Sequence, residues 1–198
     1  MSTRLKAFIA AAACALLIQG SSYGNESDSE LIEVAKIRKD PLPAYWEHPP
    51  PIRLCTDSGV TRQRLERALD FWRRLGYEFG SVIIEDTSYA CATGGWAGEI
   101  TILLFTQEVI DSVHLAVTRT RRNTDTNKIV QIQIYINRYG AEKLLVLEHE
   151  IGHALGWSHR RERYHLMNEN WREIGHETNG LTFRDYQHEI SKIKQSSQ

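Results

Sequence analysis

Eleven residues constrain this chain more than any others: His149-Glu150-Ile151-Gly152-His153-Ala154-Leu155-Gly156-Trp157-Ser158-His159. Positions four apart on an α-helix stack on one face, so His149 and His153 present two imidazoles to the same point. Glu150 sits one residue round from His149, within reach of a water at that point but too offset to join the imidazoles as a ligand. Gly156 can take the left-handed conformation that ends a helix. The chain then turns back, and His159 can supply a third nitrogen from outside the helix. Three protein ligands leave one tetrahedral position open, which separates a catalytic zinc site from a closed structural one. The plainer reading is a helix carrying ordinary surface histidines.

The pattern HExxHxxGxxH followed by a methionine resembles the signature of the metzincin zinc peptidases. The methionine is Met167, in Tyr164-His165-Leu166-Met167-Asn168, and Met1 is the only other one in the chain. The resemblance implies that Met167 lies in a tight turn beneath the metal, a place compatible with ordinary core packing. It implies an α+β zincin fold: a mixed, mostly parallel five-stranded sheet with an antiparallel edge strand, an active-site helix and a C-terminal helix. It further implies one catalytic Zn2+ held by His149, His153 and His159, with Glu150 as general base in peptide-bond hydrolysis. A protein or peptide substrate would lie extended beside the edge strand, at Val113, His114, Leu115, Ala116 and Val117. Trp171 and Ile174 would wall the pocket for the side chain after the cut. The resemblance spans residues 51–194 and is specific over 149–167.

Two departures narrow it. Glu169 stands two residues after Met167, where astacins place a tyrosine ligand, and no upstream histidine-rich loop resembles the structural zinc site of matrixins. Calcium is not evident, since Asp125 is a lone carboxylate in its loop.

The compartment follows from the amino terminus. Arg4 and Lys6, an apolar run from Ala7 to Ile18 and small residues through Gly24 read as a signal peptide over 1–24, and the run is too short to span a membrane. A secreted or periplasmic protein is expected; lipid anchoring through Cys14 is the alternative. Loss of Cys14 with the signal leaves Cys55 and Cys91, which in an oxidising compartment allow one disulfide, closing a loop of about 36 residues. Cys55 as a zinc-blocking thiolate is the rival. Residues 25–50 are polar and then proline-rich, an extended lead-in or a short pro-segment with Asp40, Glu47 or His48 near the metal. Residues 51–198 form the catalytic domain, and a monomer is expected. A net charge of -1 gives no reason to expect a nucleic acid or an anionic membrane as partner.

Within that domain, 51–55 reads as a first strand. Thr61 caps a helix with Leu65, Ala68, Leu69, Trp72 and Leu75 on one face. Strands are predicted at 81–85, 100–105, 113–118 and 129–136, the last alternating Ile-Val-Gln-Ile-Gln-Ile-Tyr-Ile. Arg119-Thr120-Arg121-Arg122-Asn123 is expected to be a solvated loop, and the glycine-rich stretch 94–98 lacks phosphate-binding spacing. Asn137 to Gly140 is expected to turn the chain, and a buried helix from Ala141 to run directly into the ligands. Thr182 and Asp185 form a capping box for a last helix over 183–194. Arg160, Arg161 and Arg163 would favour acidic substrate side chains or pair with nearby glutamates. Two other readings remain: a third ligand from Glu173 or Glu177, as in thermolysin-like peptidases, and a binding or inhibitory module that keeps the fold without turnover.

Overall fold

The computed structural model describes residues 44–86, 88–105 and 114–196, all within one compact unit, Asp40–Gln198. The expected signal peptide, Cys14, Asp40 and Val113 lie outside the described residues. No helix among the described residues is long and apolar enough to cross a membrane.

Five strands make the sheet: β1 (Ile52–Cys55), β2 (Val82–Glu85), β3 (Ile100–Leu104), β4 (Ala116–Arg122) and β5 (Ile129–Ile136). Their order is β2-β1-β3-β5-β4, parallel throughout except for β4, which runs antiparallel to β5 at the edge. β3 is apolar and central because both its faces are covered. In β5 the alternation places Ile132, Ile134 and Ile136 at 0% exposure, with Gln131, Gln133 and Tyr135 on the other side.

Helix α1 (Arg62–Arg74) begins where Thr61 Oγ1 accepts the Arg64 N–H, and it buries Leu65, Ala68, Leu69 and Trp72 completely. A short helix α2 (Tyr89–Thr93), which sequence periodicity did not indicate, carries Cys91 into a disulfide with Cys55 at the end of β1. That pairing, with Cα atoms 5.7 Å apart, leaves Cys55 no role as a zinc-blocking thiolate.

Two expectations are corrected. Among the described residues the edge strand begins at Ala116, and it continues through Arg122, so the basic run is strand and not loop. His114 and Leu115 precede it. An alternating Thr-Arg-Thr-Arg run can place threonines on one face and cations on the other, and charged side chains suit an exposed edge. Nor does one helix run from Ala141 into the histidines. Asn137 caps a five-residue helix α3 (Arg138–Glu142), Leu145 takes φ +66°, and a second helix α4 (Val146–Ala154) starts there. The break puts Leu144 into solvent at 77% exposure and lets Arg64 grip both sides of the turn. Its Nη2 donates to the Lys143 carbonyl, and its Nη1 and Nη2 donate to the Glu148 carboxylate.

Residues 44–50, read from sequence as lead-in, are fixed to the domain. Tyr45 bridges to Lys128 beside β5, the Trp46 N–H donates to Tyr186 Oη, and Trp46 Nε1 donates to the Ala154 carbonyl. The last helix, α5 (Phe183–Ser196), starts with the reciprocal Thr182–Asp185 hydrogen bonds its sequence announced.

Candidate metal centre

Helix α4 is held between α1 and the sheet edge by its apolar residues and by Glu148, whose carbonyl accepts from Trp72 Nε1. With Glu148 turned to α1, the next residues face the cleft. His149 and His153 come from this helix. Gly156, at φ +108°, then reverses the chain; a Cβ there would overlap the Ala44 carbonyl. The return brings His159 over the other two rings. The three Nε2 atoms form a triangle with sides of 3.0, 3.0 and 3.3 Å.

Ligands about 2.0–2.1 Å from a tetrahedral zinc would lie about 3.3 Å apart. The remaining ring nitrogens fix the tautomers. His149 Nδ1 donates to the Leu166 carbonyl at 2.8 Å, and His153 Nδ1 donates to the Trp157 carbonyl at 2.7 Å. Carbonyls only accept, so each Nε2 keeps a lone pair aimed at the shared point. Burial lowers the His149 pKa to about 4 and that of His153 to about 3, and it lowers His159 as well. All three are therefore neutral at pH 7, the form a metal requires. Three imidazoles with a free position suit zinc, and His149, His153 and His159 are the metal-type cluster among the described residues.

Glu150 lies beside them, 6% exposed, its Oε2 accepting a 2.6 Å hydrogen bond from Thr118 Oγ1 on β4. Burial raises its pKa to about 7, the hydroxyl opposing that shift. Met167 is wholly buried under α4: a Cβ on Gly152 would overlap its sulfur and come within 2.8 Å of Trp72 Cζ2. The turn carrying it is pinned by His165, whose Nδ1 accepts the Met167 N–H while Nε2 donates to the Asn179 carbonyl.

These groups open into a cleft of about 630 Å³ between β4 and the loops after α4. Of the substrate residues named from sequence, His114, Leu115, Ala116, Val117, Trp171 and Ile174 line it. Glu173 and Glu177 do not; their backbones pair with Tyr164 and Leu166. Glu47 is ion-paired to Lys128, and His48 lines a separate groove along α5. Arg160 packs over Trp157 and Arg163 over Tyr164, outside the cleft lining. Sequence reasoning missed Ala44, Thr120 and Arg122 as cleft residues. The alternation from Ala116 to Arg122 carried that signal once the strand was placed correctly.

The mixed sheet, its antiparallel edge and the histidine triad together define a metzincin-like zinc metallopeptidase. Within that class the chain belongs to the matrixin family, whose model (Peptidase M10, Matrixin) matches residues 91–193. Among solved structures the chain is similar to metalloproteinase-II from Bacteroides fragilis, at 16% identity and TM-score 0.47, over 78% of this chain and 56% of that one. The chain thus spans little more than half of that structure's length. It is also similar to high choriolytic enzyme 1, a hatching-enzyme zinc-protease from Oryzias latipes, at 15% identity and TM-score 0.33, over 70% and 67% of the two chains. No curated protein matches the sequence.

Proposed function

We propose that this protein is an exported zinc endopeptidase that uses Glu150 as general base. The observation that carries the reading is the convergence of three neutral Nε2 atoms at 3.0–3.3 Å beside one buried carboxylate. Zinc held there would supply a Lewis acid that polarises a carbonyl and brings the pKa of water down to about 7. Glu150 then takes the proton of the attacking water and passes it to the departing amine, help usually worth about 10²–10⁴ in rate. Thr118 Oγ1 holds the carboxylate in one orientation. The free edge of β4 offers main-chain donors and acceptors to an extended peptide, so binding does not depend on chain ends. Export is supported by the 1–24 segment and by the disulfide.

The test is cleavage of a denatured protein or peptide mixture by the mature chain, compared with Glu150→Ala and with chelator present. Internal cuts lost in both controls are expected. Cutting that persists in Glu150→Ala, or is confined to chain ends, would overturn the respective part. A non-catalytic module would give no cutting from any of the three.

A further inference from the structure

We infer that Arg122 selects peptides with an acidic side chain roughly three or four residues before the bond to be cut, an inference that rests on the peptidase reading above. On β4 the alternate residues Ala116, Thr118, Thr120 and Arg122 all line the cleft. Thr118, hydrogen-bonded to Glu150, marks where the reacting bond must lie. Arg122 is four residues further along the strand, about 13 Å at the usual rise.

The residue is part-buried. Among the described residues no carboxylate pairs with it, and the other part-buried cations have partners of their own: Lys143 lies over the Tyr139 and Trp171 rings and Arg160 over Trp157. Arg53 is held by Glu85 and Glu99, Arg64 by Glu148, and Lys128 by Glu47. A register shift in the ladder at Arg121/Arg122 bends the strand end at this point. Ala44, Trp157 and Ser158, which also line the cleft, carry no charge, and the cleft's acidic residue besides Glu150, Glu169, acts on His159. A guanidinium in this position offers a planar fork of donors matched to a carboxylate. Antiparallel pairing is the more stable arrangement per residue. A peptide paired that way runs its amino-terminal side toward Arg122.

The test uses zinc-loaded Glu150→Ala chain, which holds peptides without turnover, and fluorescent neutral decapeptides in which a single Glu or Lys is moved along the sequence. With Arg122 present, Glu should bind about fivefold tighter than Lys at one register, the scale of a partly exposed ion pair, and the preference should shrink in high salt. Arg122→Gln should remove the preference and Arg122→Glu should invert it. Equal binding at every register, a preference that survives Arg122→Glu, or no peptide binding at all would overturn the inference. Turnover by the unaltered chain is read separately. Cutting without charge preference sinks the selectivity alone; charge-selective binding without cutting sinks the peptidase reading alone.

Discussion

At the scale of single residues, the centre depends on groups whose neighbours leave little freedom. Gly152 is the sharpest case, because a methyl group there meets both Met167 and Trp72, each fully buried. Gly152→Ala should destabilise the domain by about 1–3 kcal/mol, as overpacking does, read as a lowered denaturation midpoint at unchanged m-value. Thr118→Val should lower kcat several-fold with little change in KM, and Thr118→Ser, which keeps the hydroxyl, should restore it; equal losses in both would show that only packing matters there. The imidazoles also set a pH dependence for the metal-free protein. Unfolded histidines take protons from about pH 6.5 downward, whereas His149 and His153 resist until about 4 and about 3. Stability is therefore lost as pH falls through that window. Glu150 works the other way: with a folded pKa of about 7 against an ordinary 4.5, its contribution is full below 4.5 and is lost as pH rises through 7. Two strongly lowered imidazoles outweigh one raised carboxyl, so the melting temperature of chelator-treated protein should drop between pH 6.5 and 4.5. A rise over that range would contradict the buried, neutral triad.

At the scale of elements, the sequence was legible where local pattern and tertiary demand agree. The amphipathic stripe of α1, the period-two run of β5 and the capping box of α5 each encode burial or hydrogen bonding within a few residues, and each element formed where expected. The His149–His159 stretch was legible for the same reason, since helix pitch and one glycine bring the rings together. What escaped was set by distant partners. The break at Leu145 answers to Arg64 and Glu148, 84 residues apart in sequence. The extension of β4 through Arg122 answers to its ladder with β5, and a basic run in isolation looks like loop. Buried pairs of this kind are costly to halve. Arg64→Met should cost about 3–5 kcal/mol by stranding the Glu148 charge, while Arg64→Met combined with Glu148→Leu should recover most of it; a chemical-denaturation double-mutant cycle checks this.

At the scale of the whole molecule, the parallel strands and α1 build a rigid backing, and the chemistry lies where the antiparallel edge meets α4. The Cys55–Cys91 disulfide ties the end of β1 to α2, whose C-terminal Gly94 carbonyl accepts from Gln131 and Gln133 of β5. Closing 36 residues is worth about 4 kcal/mol in the chain-entropy picture. Reduction should therefore lower the melting temperature without altering zinc content. The segment 44–46, fastened at Tyr45 and Trp46, brings Ala44 against Gly156 at the cleft wall. Removing residues through Trp46 should thus loosen the site, whereas a linker could be lost without effect. The most direct test of the central claim is metal analysis of the purified chain at neutral pH together with its His159→Ala variant. One tightly held zinc per chain, with three nitrogen neighbours at about 2.0–2.1 Å and marked loss of retention in His159→Ala, is the result expected. No retained zinc, or equal retention by the variant, would contradict it.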